Sequence, residues 1–350
     1  MSTTSSIPFS TKYKRIATEE AFAPAELIVS YRKLYESRTL NDPGFDSLWG
    51  FYSSSLASRP VFIREKLADL DALRIADMDA TGIDHQVIAL TSPGVQVFDA
   101  ATAVALARDC NDMLAAAVRK HPTRFTGMIA IAPHAPEFAA QELQRCKAFG
   151  FRGIIINSHT QGEYLSDKKF WPIFEAAEAL DLPIYLHPNT PPKSMIGPMV
   201  DAGLDGAIFG FGVETGFHLL RIITAGVFDR FPKLQIIVGH MGEALPYWMY
   251  RLDYMHAAGV KSARYECMKP LKLKISDYLR ENVYITNSGV AWEPAIKFAQ
   301  QVIGVDRVMY AMDYPYQYTP QEVLDMDNMD MPDVSKKMFY QDVAQKVFKL

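Results

Sequence analysis

Cysteine is scarce in this sequence. Cys110, Cys146 and Cys267 are its only three, widely spaced and without a pairing or metal-ligating motif. That excludes a disulfide framework and reads as the free thiols of a cytoplasmic protein. No uncharged apolar stretch reaches the ~18 residues that a membrane span needs, so a membrane role is not expected. Positive charge is not in excess: 36 Lys and Arg face 40 Asp and Glu, for a net charge of -4. Without a basic stripe, a nucleic-acid partner is excluded. There is no P-loop and no G-x-S-x-G. The run Phe209-Gly210-Phe211-Gly212, continuing to Gly216, lacks the G-x-G-x-x-G spacing and follows no convincing strand. A dinucleotide site is therefore rejected and no organic cofactor is expected. No internal repeat, low-complexity run or linker divides the chain. One domain over residues 13–350 is expected, after a loose Ser/Thr-rich tail over residues 1–12 that lacks the apolar core of a signal peptide.

What is present is a large core. Hydrophobic residues make up 49% of 350 residues and aromatic ones 12%, which argues for a folded domain. Eight short apolar runs alternate with helical patterns: Lys14–Thr18, His85–Leu90, Phe125–Ile131, Gly153–Ile156, Leu182–His187, Leu234–Val238, Val283–Thr286 and Arg307–Met312. Phe62–Thr81 reads as one amphipathic helix stopped by Gly82, and Val334–Phe348 as a C-terminal helix. The segment over residues 41–60, with Trp49, Phe51 and Tyr52, reads as an inserted lid or a subunit contact. Eight β-then-α units predict an α/β fold, a single-domain (β/α)8 TIM-type barrel, with a doubly wound sheet as the alternative.

On a barrel, residues just after the strands share one mouth. Here they are Glu19, Thr91, His134, His159, His187, His240, Asn287 and Asp313. Glu19, His187 and Asp313 end three apolar runs and supply the oxygen and nitrogen ligands that a divalent metal takes. Three ligands leave positions open for water and substrate. The bland reading makes each a helix cap or an arginine partner, and fails to explain all three at strand ends. His240 lies between glycines, and Glu243 three residues on can accept its second ring N–H and fix its tautomer. Arg59 and Arg251 have the fork that matches a carboxylate, although most arginines are merely solvated. Tyr314, Tyr316 and Tyr318 crowd behind Asp313 as a pocket wall or as plain packing. His85, His121, His218 and His256 read as structural, and His134 and His159 are left open.

Ala17-Thr18-Glu19-Glu20-Ala21-Phe22, Tyr185-Leu186-His187-Pro188, Ile237-Val238-Gly239-His240-Met241-Gly242-Glu243 and Asp313-Tyr314-Pro315 resemble the metal-dependent, non-oxidative aromatic decarboxylases of the amidohydrolase superfamily. The resemblance covers nearly the whole chain. It implies a (β/α)8 barrel with a divalent metal on Glu19, His187 and Asp313, Mn2+ expected and Mg2+ or Zn2+ as alternatives. It further implies His240 near the substrate with Glu243 behind it, and Arg59 and Arg251 at substrate carboxylates. Thr91 and Tyr316 join the expected substrate site. The implied partner is a small aromatic carboxylate, and the implied assembly a homodimer or larger homo-oligomer. One departure stands out: much of the superfamily has His-x-His after the first strand, and here the two positions are Glu19 and Ala21. Asp313 is the expected proton donor to the ring carbon. A metal-dependent hydrolase such as a lactonase on the same barrel, and a non-catalytic binding protein, are the rival readings.

Overall fold

The computed structural model describes residues 7–350. Eight parallel strands lie in sequence order: β1 (Ile16–Phe22), β2 (His85–Leu90), β3 (Phe125–Ala130), β4 (Gly153–Asn157), β5 (Ile184–His187), β6 (Ile236–Val238), β7 (Val283–Thr286) and β8 (Val308–Met309). Each strand pairs with the next and helices fill the connections, giving a nearly closed (β/α)8 barrel. The strands are buried on both faces. Ile154, Ile155 and Ile156 of β4 leave at most 2% of their surface exposed, which is why they read as continuous rather than alternating apolar runs.

The outer helices are held by capping and by a few buried polar bonds. Asp99 caps the helix Ala100–Lys120 by accepting from the Thr102 amide at 3.0 Å. Asn111 on the same helix bonds both the amide and the carbonyl of Ala130, pinning the helix to β3. The single helix expected over 62–81 is two, Ser58–Ala68 and Ala72–Thr81. The Asp69 carboxylate accepts from the Asp71 and Arg74 amides and starts the second one. Gly82 ends it in the left-handed conformation, as expected.

Three further differences matter for the site. β1 runs through Glu19 and Glu20 to Phe22, so these carboxylates lie within the strand and not after it. The lid segment is helical over Pro43–Ser54 and Ser58–Ala68, and Trp49 is buried within the chain, donating to the Ser92 carbonyl at 3.0 Å. Trp49 is therefore core and not a subunit contact. The C-terminal helix contains a wide turn over Met338–Asp342. Residues 1–6 of the expected tail lie outside the described residues; Ile7 is buried and donates to the Ala80 carbonyl. Among the described residues no helix is long and apolar enough to cross a membrane.

Candidate active site

The mouth at the C-terminal ends of the strands holds a cavity of about 870 Å3. Its floor is polar, with His187, His240, Glu243 and Asp313; its walls are mainly apolar, with Phe211, Phe217, Leu220, Leu245 and Val290 among them. A convergent polar floor under apolar walls is the usual form of a small-molecule site.

Glu19 lies buried beneath this floor. Its Oε2 accepts from the hydroxyls of Tyr185 and Thr286. Its Oε1 is buried and accepts no well-aligned hydrogen bond, although His187 Nε2 lies 3.2 Å away and His240 Nε2 3.7 Å away. The two imidazoles are oriented from behind. His187 Nδ1 donates to the Pro188 carbonyl at 2.8 Å, and His240 Nδ1 to Glu243 Oε1 at 2.9 Å. Each Nε2 is then free to face the Glu19 oxygen. A buried carboxylate facing these two nitrogens needs positive charge beside it, from a bound ion or from a proton on an imidazole. The electrostatics say the same. Burial alone would lower His240, but the Glu243 and Glu19 carboxylates raise it to about 10. Burial would raise Glu19, yet His240 and His187 hold it below the ordinary range. Burial, then the charge of Glu19, pushes Asp313 up. Ligand atoms of Glu19, His240 and Asp313 lie within 4.8 Å of one another. The donor set and the orphaned Glu19 oxygen fit a divalent ion.

Local backbone makes this convergence possible. β5 delivers His187 at its last residue, and Pro188, having no N–H, ends the ladder. Gly239 is needed because a Cβ there would stand 2.6 Å from Glu19 Oε2. His240, Met241 and Glu243 all adopt positive φ in the tight turn after β6, which brings His240 and Glu243 round to face each other. Gly289, at φ 63°, passes between His240 and Asp313, and a side chain there would press on both.

The other expected residues divide. Arg59, Thr91 and Tyr316 line the cavity. Arg59 donates to the Tyr316 carbonyl at 2.6 Å, and the Thr91 and Tyr316 hydroxyls are 2.7 Å apart. Arg251 is exposed on the helix Leu245–Ser262 and is not among the lining residues. Tyr314 and Tyr318 pack behind the site around Asp77. His134 and His159 bond loop carbonyls outside the cavity. Sequence reasoning missed Tyr185 and Thr286. Tyr185 carried a usable signal, since it sits two residues before His187 and so on the same face of β5.

The chain matches the amidohydrolase family model over residues 63–350. The chain belongs to the amidohydrolase family. Among solved structures, 5-carboxyvanillate decarboxylase from Novosphingobium aromaticivorans, complexed with manganese and 4-hydroxy-3-methoxy-5-nitrobenzoic acid, is 59% identical, covers 100% of both chains and superposes with a TM-score of 0.97. Dihydroxybenzoic acid decarboxylase from Polaromonas, with bound manganese and 2-nitroresorcinol, is 35% identical over 97% of each chain, with a TM-score of 0.82. Gamma-resorcylate decarboxylase of Polaromonas is 38% identical over 297 residues, 82% of this chain and 90% of the relative.

Proposed function

We propose that this amidohydrolase is a manganese-dependent, non-oxidative carboxy-lyase that converts 5-carboxyvanillate to vanillate and CO2 in the catabolism of lignin-derived aromatics. The observation that carries the reading is the convergence of His187, His240 and Asp313 on the buried, partnerless Glu19 oxygen, under a cavity with mainly apolar walls that has room for a substituted ring. Glu19, His187 and Asp313 would hold the ion, with His240 beside them. When bound, Mn2+ supplies Lewis-acid polarisation and a template for a phenolic oxygen and its ortho carboxylate.

The chain's own groups then have separate tasks. The C–C bond cannot simply break, because an aryl carbanion is too basic; the ring carbon must first gain a proton. Asp313, in its protonated form and facing the ion only through its carbonyl oxygen, is the floor carboxyl that would give it. The proton moves from Asp313 to the carbon bearing the carboxylate. The C–C bond then breaks, its electron pair restores the aromatic ring, and CO2 leaves. The Asp313 carboxylate regains a proton from solvent through the mouth. His240, held by Glu243, steadies a substrate oxygen. Arg59, with Thr91 and Tyr316, would meet the second carboxylate on the cavity wall.

The lactonase alternative has no support: the relatives reported above are decarboxylases. We place the protein in the cytoplasm, in keeping with its free cysteines. We also infer a homodimer or larger assembly through the exposed face that carries Tyr247, Trp248, Tyr250, Arg251 and Tyr254.

The test is an assay of purified protein with 5-carboxyvanillate, following vanillate and CO2. Turnover that disappears on chelation and returns with Mn2+ is expected. Stoichiometric Mn2+ with no CO2 would overturn the reading.

A further inference from the structure

Asp313 sits where the barrel is least well paired. β8 pairs with β7 only at Val308 and Met309. Across the seam to β1 there is no regular ladder: the Thr18 amide and hydroxyl both donate to the Tyr310 carbonyl, at 3.1 and 2.7 Å, and the Ala21 amide donates to the Tyr314 carbonyl at 2.7 Å. Between these points the buried amides of Met312 and Tyr314 have no backbone acceptor from β1. The Glu20 side chain takes that place. Its Oε1 accepts from the Met312 amide at 2.9 Å and its Oε2 from the Tyr314 amide at 3.3 Å. One fully buried carboxylate thus grips the backbone on both sides of Asp313.

The grip matters because Asp313 has φ 59°, a left-handed conformation that disfavours a residue with a Cβ and persists only where its surroundings impose it. The sequence supplies the means. Ala17 is opposite Gln86 but Glu20 is opposite Ile88, so β1 carries one extra residue. This bulge lets two consecutive glutamates both be buried, Glu19 under the cavity and Glu20 in the seam. Arg74 clamps the same segment from outside, donating to the Ala21 carbonyl at 2.6 Å with its guanidinium 4.5 Å from the centre of the Tyr314 ring.

We propose that Glu20 is a positioning residue: by holding the Met312 and Tyr314 amides it fixes the Asp313 backbone so that the Asp313 carboxyl stays within reach of Glu19 and His240. The role of Asp313 itself rests on the reading given under Proposed function. Glu20 touches neither the cavity nor the reacting atoms; it acts through the peptide units on either side of one residue.

The test uses full-length Glu20→Gln, isosteric but with an NH2 in place of one acceptor, and Glu20→Asp, which keeps both acceptor oxygens and draws them back by one methylene. The second variant decides the matter if the first does not fold. Two readouts are taken beside the wild type. One is the Mn2+ dissociation constant by calorimetry on metal-free protein without substrate; the other is kcat and KM separately. Groups that orient metal ligands and reacting groups typically govern affinity or rate by about 10- to 100-fold. We therefore expect Mn2+ affinity and kcat each to fall by about 10-fold or more, with KM changing by less than about threefold and the circular dichroism spectrum unchanged. A folded variant with both values within about twofold of wild type overturns the proposal. Wild-type protein that binds Mn2+ but releases no CO2 removes the decarboxylase reading alone, and the Mn2+ arm still decides the role of Glu20. Wild-type protein that binds no Mn2+ overturns both.

Discussion

Two buried clusters in this molecule each set a glutamate close to a histidine, and only one is built to react. The first is Glu19, His187, His240 and Asp313. The second forms where the loop after β4 meets the helix Gly210–Thr224. There Ser158 donates to Glu214 Oε1 at 2.8 Å, Tyr164 donates to Glu214 Oε2 at 2.8 Å, and the Leu165 amide donates to His218 Nε2 at 3.0 Å. His218 Nδ1 therefore carries the hydrogen and donates to the Ser158 hydroxyl at 3.1 Å. Every polar side-chain atom of these four residues has a partner. In the first cluster Glu19 Oε1 has none. Burying a polar group is tolerable when its bonds are complete and costly when they are not. The closed set fastens a loop to a helix. The open set leaves a demand for positive charge at the foot of a cavity, which is what a metal and an anionic substrate can meet.

The sharpest way to break this contrast is to remove one carboxylate from each cluster. Asp313→Asn should lower CO2 release by about 1000-fold or more, the scale of a lost proton donor, with little change in unfolding free energy. Glu214→Leu should do the reverse. Stranding the Ser158 and Tyr164 hydroxyls should cost about 1–3 kcal/mol of stability in urea unfolding, with kcat within about threefold of wild type. Comparable losses of rate in both variants would show that the two clusters are not separate in function.

A smaller effect is expected where the open cluster is held from behind. Glu243→Gln keeps the shape but weakens the hold on His240 Nδ1, and should reduce kcat by about 10- to 100-fold with stability nearly unchanged. Rates equal to wild type would mean that the turn after β6, with its positive-φ residues, orients His240 without help.

The contrast also explains what could be read from sequence. Apolar runs leading to Glu19, His187 and Asp313 reveal a barrel and one mouth because strand burial is a local property, whereas the strand ends are less legible: β1 continues past Glu19 to Phe22 and β8 stops at Met309. His218, inside a helical pattern, and His240, between glycines, are told apart as structural and site residues, but not by their hydrogen bonds. Whether a histidine's second nitrogen is already satisfied depends on atoms such as the Leu165 amide, 53 residues away in sequence. Glu20 shows the same limit. Alternation along a regular strand turns it away from Glu19, and only the bulge in β1 and the short β8 give its carboxylate a task. Arg251 matched the chemistry of a carboxylate clamp, but its helix holds it outside this chain's own cavity.

The smallest effect is confined to the closed cluster and is read in stability against pH. Burial, then the nearby His159 and Arg221, hold His218 well below the ordinary histidine range. The unfolded chain takes up this proton near the ordinary value of 6.5, whereas the folded chain refuses it. Below that pH the unfolded state binds more protons, so the His218 contribution is complete above pH 6.5 and is lost progressively on acidification, by at most about 1.4 kcal/mol per pH unit. Glu214, which burial raises, works in the opposite direction: the folded chain holds its proton longer, so acidification through that window favours folding. A His218→Gln variant retains Glu214, so the difference between the two chains isolates the histidine. Urea midpoints at pH 7.5, 6.5 and 5.5, values chosen to bracket the ordinary titration of the histidine, should converge as the pH falls, with kcat at neutral pH within about twofold of wild type. Parallel curves would mean that His218 titrates in the folded protein. The closed cluster would then admit a proton, and the distinction between a sealed network and an open one would lose its physical basis.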